Sequence, residues 1–501
     1  MIKSTPMIAI PALLLSLAGS ALAGPASCDV RVNNTHEKLQ ECVTLAGVRE
    51  HQAALQAIAD ANGGNRVSGA AGYSASLAYF ENKLRAAGYY VTKQDFPFNT
   101  WFALQPSILE QVSPTPGGPI TNFIMTWSGS GDVTAAVSKP ANLGCSPADF
   151  AGFPAGNIAL VQRGACGFGV KATNAVAAGA TGVVIYDNAA GLLTTGNVLE
   201  TFTANVGVVS VPQSIGMQLA NTPGLVLRLR TSVFRGAATA TNLFAETTTS
   251  DSDTVVMAGA NLDSIASSPG INGNGSGASA LLETALMMSK VKPRNKVRFA
   301  WWAMQRQAGM NVSASQFIGA TRYLGSLSPA ELDKIALYLN FDTIGSPNYV
   351  FFIHDGDNSD LVGLPAGPAG SGAIEKVFES FYAARGIPFK GTDLSARSDY
   401  WPFIGQGIPV GGITTGINGT GQSKTAQEAA IWGGTPGVSY DPCWGQPCDT
   451  FANNSDAALE VNSKAVAFAV LQLSMNAKAF NPNSRVKGNF RQDPGEAEIT
   501  Q

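Results

Sequence analysis

Histidine is scarce in this sequence: the 501 residues include three, His36, His51 and His354. Charged residues are also few, at 13% of the chain, against ~25% in an ordinary soluble domain. The formal net charge is −3 and no long basic run occurs, which argues against nucleic acid as a partner. The surface is therefore expected to be covered largely by Gly, Ser, Thr and Asn.

Long apolar runs are missing after the first residues. The opening "MIKSTPMIAIPALLLSLAGSALAG" combines a lysine, an apolar stretch and Ala21-Leu22-Ala23, the pattern of a cleavable signal peptide over residues 1–23. No later stretch reaches the ~18 apolar residues of a spanning helix. The sequence thus predicts a secreted protein, extracellular or periplasmic, without a membrane span.

Cysteines are few and fall as three close pairs: Cys28/Cys42, Cys145/Cys166 and Cys443/Cys448. In an oxidising compartment an even set with such spacing indicates disulfides. A metal site is the poorer interpretation, because no histidine lies near the last two pairs.

The order of the elements indicates the fold class. Helical patterns over 44–62 and about 75–87 end at glycines, and an alternating strand follows at 89–98. After the Pro/Gly-rich segment 113–119, a β-rich block includes 157–188. Hydrophobic strands then recur, separated by helical patterns, at 254–264, 296–305 and 335–345. Such alternation is typical of an α/β domain with a mainly parallel central sheet.

Several motifs resemble known families. The segment "ALVQRGACGFGVKATNAVAAGATGVVIYDN" is similar to the protease-associated (PA) domain, a small β-rich insert of secreted peptidases. In chain order, "PGINGNGSGASALLETA", "LNFDTIGSPN" and "QSKTAQEAAIWGGTPGVSYDPC" resemble metallopeptidase family 28, the secreted two-zinc aminopeptidases. The resemblance covers roughly residues 40–478. It implies a mixed, mainly parallel sheet flanked by helices.

The resemblance also implies a division of the chain. The signal peptide, 1–23, is followed by the N-terminal part of the aminopeptidase-like domain, 24–120. The PA insert takes 121–245, the rest of the peptidase domain 246–478, and a polar tail 479–501.

In this family two zinc ions clamp a hydroxide and the amino end of the substrate. The matching ligand positions here are Asn261, Gly273, Arg306, Asp342 and Gly445. Only Asp342 keeps a family ligand, and the general-base position is Gln305. Asp263 matches the residue that in the family orients a ligand histidine; here it has no histidine to orient, and the alternative is that it caps a turn. The amides of asparagine and glutamine are weak neutral ligands, glycine has no side chain to bind a metal, and the positive charge of arginine repels a dication. No zinc cofactor is therefore expected.

The leading hypothesis is a catalytically inactive pseudo-peptidase that binds a peptide or a protein partner. One alternative is an active zinc aminopeptidase whose ligands come from elsewhere, although the three histidines are not expected to rescue the site. Another is an interaction module that acts through the PA domain.

Arg306 is expected to replace the metal charge by pairing with Asp342, and to reach toward Asp263. The alternative is that Arg306 turns to solvent while Asp342 caps a backbone amide.

Two further segments have open interpretations. "DGDNSD" carries Asp355, Asp357 and Asp360 at the spacing of a calcium loop, or it is a solvated turn. Residues 397–400, "RSDY", either line the cleft or form an ordinary packed loop.

Overall fold

The computed structural model describes residues 27–190, 196–248, 252–305, 317–362, 366–395, 397–416 and 423–476. Arg306, the predicted signal peptide and the predicted tail lie outside these ranges. The α-helices are α1 (His36–Cys42), α2 (Leu45–Ala61), α3 (Ala71–Ala86), α4 (Phe168–Ala177), α5 (Gln213–Ala220), α6 (Gly275–Met288), α7 (Ile318–Ser326), α8 (Pro329–Leu332), α9 (Ser371–Ala383), α10 (Trp401–Gly405), α11 (Ala426–Trp432) and α12 (Asp456–Met475).

The strands are β1 (Tyr90–Ser113), β2 (Gly118–Pro119), β3 (Phe123–Ile124), β4 (Gly131–Ser138), β5 (Ile158–Gln162), β6 (Gly182–Tyr186), β7 (Gly207–Val211), β8 (Val226–Glu246), β9 (Ser252–Asn261), β10 (Asn295–Trp302), β11 (Ile335–Phe341), β12 (Phe352–His354), β13 (Lys390–Thr392) and β14 (Val410–Thr414).

The larger domain is built on a mixed sheet in the order β13-β12-β14-β11-β9-β10-β8. Strands β10, β9, β11 and β14 pair in parallel, while β12 and β8 join antiparallel. Strand β11 is buried along its whole length, as expected for a parallel strand covered by helices on both faces. Helices α6 and α12 are buried on most of their surface. The predicted fold class is confirmed.

The smaller domain contains the predicted strand-turn-helix-strand unit as β5, α4 and β6. Strands β4, β5, β6 and β7 pair in parallel, and β3 joins antiparallel. Two apolar clusters lie in this domain, one on each side of its sheet, and they include Ala159 and Leu160 respectively. Alternate residues of β5 thus contribute to two separate cores.

A long antiparallel ribbon joins the two domains. Strand β1 pairs with β8 from Tyr90↔Glu246 to Ser113↔Val226. One end of β8 pairs with β10 and the other with β4, so a single strand belongs to both sheets. The sequence pattern predicted a strand at 89–98 only, because the alternation of apolar residues stops where both faces of the ribbon become exposed.

Local chemistry explains the helix boundaries. Thr44 accepts a hydrogen bond from Gly47 N at 3.1 Å and caps α2, which confirms the predicted helix to within a residue at each end. Helix α3 begins earlier than predicted, because Gly72 is accommodated inside it. A Cβ on Gly72 would lie 2.2 Å from the Asn65 carbonyl oxygen, so the loop packs closely on this turn.

All three predicted disulfides are present: Cys28–Cys42, Cys145–Cys166 and Cys443–Cys448. Among the described residues, no helix combines the length and apolar character that a membrane crossing requires.

Candidate functional site

Three of the five predicted ligand positions, together with the predicted general-base position, lie at one edge of the larger sheet. Asn261 is the last residue of β9, Asp342 follows β11, and Gln305 follows β10 by three residues. Gly273 lies just before α6. Since carboxyl ends of parallel strands meet at the same edge, these residues converge.

Asp342 is held by neutral hydrogen-bond donors. Its Oδ2 accepts from Gln305 Nε2 at 2.8 Å and from Ser398 Oγ at 2.7 Å. Its Oδ1 accepts from Thr343 Oγ1 at 2.9 Å. Asn340 Nδ2 donates to Ser398 Oγ at 2.9 Å and fixes that hydroxyl. The predicted pair with Arg306 lies outside the described residues and stays a prediction.

Asn261 takes part in an amide chain. Asn274 Nδ2 donates to Asn261 Oδ1 at 2.9 Å, and Asn261 Nδ2 donates to Asp263 Oδ1 at 3.3 Å. Asp263 Oδ2 also accepts from Ser68 Oγ at 3.1 Å. Burial raises the pKa of Asp263 to about 6, although these hydrogen bonds and the charge of Arg66 oppose the rise. Asp263 therefore orients an amide here.

The space in front of Gly273 is filled by an indole. A Cβ on Gly273 would lie 2.7 Å from Cδ1 and 2.8 Å from Nε1 of Trp444. The Gly273 N–H donates to Asp449 Oδ2 at 3.2 Å, and Asn272 N donates to Asp449 Oδ1 at 2.8 Å. Burial, followed by repulsion from Asp441, raises the pKa of Asp449 to about 7. A side chain at position 273 would have to displace Trp444.

Gly445 lies in the loop closed by the Cys443–Cys448 disulfide. Its φ is +70°, a conformation that favours glycine. A Cβ there would lie 3.0 Å from Cδ1 of Ile265. The Gly445 carbonyl accepts from Ser267 Oγ at 3.0 Å, which ties the loop to the segment after β9. Both backbone and neighbour thus suit glycine at this position.

A cavity of about 730 Å³ adjoins Asp342. Arg397, Ser398 and Tyr400 line it, which confirms the cleft interpretation of 397–400 for these three residues. Asp399, the fourth, is buried.

Another wall of the cavity combines aromatic rings with an ion pair. Phe352 and Tyr440 meet edge to face with their centroids 5.3 Å apart. Glu428 accepts from Tyr440 Oη at 2.9 Å and from Lys390 Nζ at 2.7 Å. The Glu428 side chain is buried whereas that of Lys390 is half-exposed. The charge of Lys390 is therefore balanced inside the cavity.

His354 is a cavity-lining residue that sequence reasoning did not place here. Its side chain is 5% exposed and its ring packs edge-on against Tyr400, with centroids 4.9 Å apart. Burial lowers the pKa of His354 to about 4, so the imidazole is neutral at pH 7. Among the described residues, its Nδ1 has no hydrogen-bond partner.

The other histidines are engaged elsewhere. His51 contacts Tyr79 Oη at 2.8 Å and Glu283 Oε2 at 3.3 Å, and His36 contacts Gln472 Oε1 at 2.8 Å.

The "DGDNSD" segment contributes two residues to an acidic cluster, but the third member differs from the predicted one: it is Glu375 and not Asp360. Carboxylate oxygens of Asp355, Asp357 and Glu375 lie within 4.8 Å of one another. The Asp360 carboxylate instead lies against Gly391. Burial raises the pKa of Glu375 to about 7. Calcium at this segment stays a prediction.

Sequence reasoning missed Trp444, His354 and Asp393, the last of which also lines the cavity. No sequence pattern indicated that Trp444 contacts Gly273. No local sequence pattern predicted that His354 and Asp393 line the cavity, because the order of the strands in the sheet brings them there.

Comparisons with known proteins identify the class. A model of peptidase family M28 matches residues 242–470, and a PA domain model matches residues 130–219. An aminopeptidase of Pseudomonas aeruginosa (strain UCBPP-PA14) is 38% identical over 527 residues, covering 98% of this chain and 95% of the relative. Leucine aminopeptidase 2 of Arthroderma otae is 34% identical over 471 residues, covering 93% and 90%.

Solved structures share the fold. An aminopeptidase from Aneurinibacillus sp. strain AM-1 superposes with a TM-score of 0.62 at 22% identity, over 87% of this chain and 96% of that one. A zinc aminopeptidase from Bacillus subtilis superposes with a TM-score of 0.61 at 22% identity, over 87% of this chain and 97% of that one. The protein is thus an α/β protein of the aminopeptidase type with a PA insert. It belongs to peptidase family M28.

Proposed function

We propose that this chain is a secreted, non-hydrolytic member of peptidase family M28 that binds peptides in the cavity beside Asp342. The observation that carries the proposal is the packing at Gly273. Where the resemblance implies a metal-bridging carboxylate, the indole of Trp444 occupies the space that such a side chain would need.

The residues at the family's metal positions do not fit a pair of zinc ions. Zinc in such sites takes imidazole nitrogens and carboxylate oxygens. Asn261 offers a neutral oxygen that already accepts from Asn274. Gly273 and Gly445 offer no side chain, and Asp342 already accepts three hydrogen bonds. The single carboxylate of Asp342 cannot replace the five ligands that a pair of zinc ions has in the family.

The missing general base supports the same conclusion. Gln305 occupies the family position of that base, and its amide cannot remove a proton from water at neutral pH. Its Nε2 donates to Asp342 instead, at 2.8 Å. The described residues at this edge of the sheet can therefore bind and orient a peptide, but Gln305 supplies no base at the position where the resemblance implies one.

The cavity supports binding. Its volume of about 730 Å³ falls within the ~300–1,000 Å³ of typical ligand sites. Its lining mixes aromatic rings with carboxylates and hydroxyls, which suits a peptide better than a purely apolar guest.

Export is part of the proposal. Three disulfides close in the described residues, and such bonds persist in oxidising compartments. Amino-terminal sequencing of the mature protein tests this point, with a start at Gly24 expected and an intact Met1 contradicting it.

The decisive experiment compares the native chain with a restored variant. The native protein, purified without chelator, is expected to leave leucine p-nitroanilide intact with and without added zinc. The restored variant carries histidine at Asn261 and Gly445, aspartate at Gly273, and glutamate at Gln305 and Arg306. Zinc uptake by that variant alone would support the proposal. Zinc-dependent hydrolysis by the native chain would instead favour the activity for which its relatives are named.

A further inference from the structure

The Cys145–Cys166 disulfide of the smaller domain lies against a buried lysine. Lys171, on α4, is 0% exposed. Its Nζ donates to the Leu143 carbonyl oxygen and contacts Cys145 Sγ at 3.5 Å. Neither partner is a carboxylate. Burial lowers the pKa of the Lys171 amine, whereas the charge of Asp149 raises it. One sulfur of this bridge therefore has a cationic group beside it.

A neighbouring cation changes the chemistry of a cysteine pair. A thiolate beside a lysine is stabilised, so the pKa of that thiol falls below its usual ~8.5. In thiol–disulfide exchange, the sulfur whose thiol has the lower pKa leaves faster. The contact with Lys171 therefore favours Cys145 as the leaving group, and attack by an incoming thiolate falls on the sulfur of Cys166.

Cys166 lies on a turn that a small molecule can approach. The residue is half-buried, and its two chain neighbours, Ala165 and Gly167, are exposed. A Cβ on Gly167 would meet no atom of the described chain within 4 Å, so there is open space next to Cys166. A low-molecular-weight thiol can therefore reach this side of the bridge from solvent.

The other two bridges each lack one of these features. Arg31 donates to one sulfur of Cys28–Cys42 at 3.2 Å, but its charge is paired with Glu41 and the two cysteines are 8% and 2% exposed. The Cys443–Cys448 bridge is exposed at its second cysteine, but within the described chain no lysine or arginine donates to either of its sulfurs. Of the three bridges, Cys145–Cys166 combines a cation that contacts no carboxylate with a sulfur that solvent can approach.

We infer that the Cys145–Cys166 bridge is a thiol-exchange site at which a low-molecular-weight thiol becomes attached to Cys166. The thiolate of the incoming molecule attacks Cys166 Sγ, a new S–S bond forms, and the bond to Cys145 breaks. The electron pair of the broken bond stays on Cys145 Sγ, which leaves as a thiolate beside Lys171. A second thiol molecule can then attack the mixed disulfide, which reduces both cysteines and oxidises two thiol molecules to their disulfide. This site is independent of the proposed peptide-binding function.

Exchange with glutathione tests the site in the native full-length protein. The protein is incubated with reduced glutathione at pH 7, free thiols are trapped with iodoacetamide at successive times, and peptides are mapped by mass spectrometry. Cys145–Cys166 is expected to open about tenfold faster than Cys443–Cys448. The first product should carry glutathione on Cys166 and the alkyl group on Cys145. Equal rates for the two bridges, or glutathione first on Cys145, would overturn the inference.

Variants of Lys171 separate an electrostatic role from a structural one. Lys171→Met removes the charge and is expected to slow the opening of Cys145–Cys166 about threefold or more, whereas Lys171→Arg should keep most of the native rate. If Lys171 only braced the loop at Leu143, its loss would loosen that loop and the bridge would open faster. Lys139→Met is the control, because Lys139 is exposed and donates to the Ala220 carbonyl oxygen instead. A faster or unchanged rate in folded Lys171→Met contradicts the inference.

A measurement on the unaltered chain covers the case in which the Lys171 variants do not fold. In the mixed disulfide formed with glutathione, the rate at which iodoacetamide alkylates Cys145 is followed against pH. The rate is expected to reach half its maximum at least about one pH unit below 8.5, the ordinary pKa of a cysteine thiol. A midpoint at or above 8.5 would show that Lys171 does not stabilise the Cys145 thiolate and would overturn the inference, while the proposed function would stand.

Discussion

Trp444 lies against the backbone of Gly273, with its indole where a side chain at position 273 would begin. Large-for-small changes in packed sites cost typically ~1–3 kcal/mol. Gly273→Asp is therefore expected to lower the free energy of unfolding by about that amount. Urea denaturation measures it.

The matched experiment repeats the change in a Trp444→Ala background. With the indole gone, the added cost of Gly273→Asp should fall by at least half. An equal cost in both backgrounds would show that the indole does not exclude the side chain, and would weaken the argument against a bridging carboxylate.

Gln305 and Asp342 form the second pair to test. Loss of a hydrogen bond to a charged group costs roughly 1.5–3 kcal/mol, so Gln305→Ala should destabilise the fold. In a double-mutant cycle with Asp342→Leu the two changes should be non-additive by ~0.5–3 kcal/mol. Gln94→Ala is the control, since Gln94 bonds to Asn242 and Ser326 instead. Additivity of Gln305→Ala with Asp342→Leu would contradict the network.

The fold was predictable from the sequence because buried parallel strands such as β11 are continuous apolar runs and the helices end at glycines. The ligand positions were assigned from the resemblance to family 28 and stay predictions, although the structure places Asn261 at the end of β9 and Asp342 directly after β11. The sequence did not predict that the Trp444 indole fills the space in front of Gly273. Trp444 is distant in sequence from Gly273, and their contact depends on loop geometry that no local pattern encodes.

The same limit applies to the cavity. His354 ends β12 and Asp393 follows β13, and only the pairing of β12 with β13 and β14 brings them toward Asp342. The acidic group around Asp355 illustrates the point further, because Glu375 is contributed by α9 rather than by the "DGDNSD" segment.

The buried His354 side chain leads to a prediction of how the free energy of unfolding depends on pH. Its pKa is lowered from 6.5 to about 4 by burial. Between these values the unfolded chain binds more protons, so the stabilisation is present above pH 6.5 and is lost as the pH falls toward 4. The stability difference between the native protein and His354→Phe should shrink over this range, by up to something on the order of 3 kcal/mol. A constant difference between pH 7 and pH 4 would contradict a buried neutral imidazole.

For Glu375 the predicted dependence of stability on pH has the opposite sign. Burial raises its pKa from 4.5 to about 7, so between these values the folded chain binds more protons. The stabilisation is present below pH 4.5 and is lost as the pH rises through 7. Compared with Glu375→Gln, the native protein should therefore lose relative stability from pH 5 to pH 8, as urea denaturation measures. A gain would show that the carboxylate is ionised and satisfied in the fold.

A chelator should leave the fold intact, since apolar cores in both domains and three disulfides hold the described residues together. The melting temperature is expected to be unchanged in excess EDTA. A fall of several degrees that calcium reverses, and that Glu375→Gln abolishes, would instead establish an ion at Asp355, Asp357 and Glu375.

The zinc content of the native protein, purified without chelator and dialysed against zinc, tests the central claim most directly. Elemental analysis by mass spectrometry should find well below one zinc ion per chain, under conditions where the restored variant takes up metal. Two zinc ions per native chain, removed by chelator together with hydrolytic activity, would contradict the account.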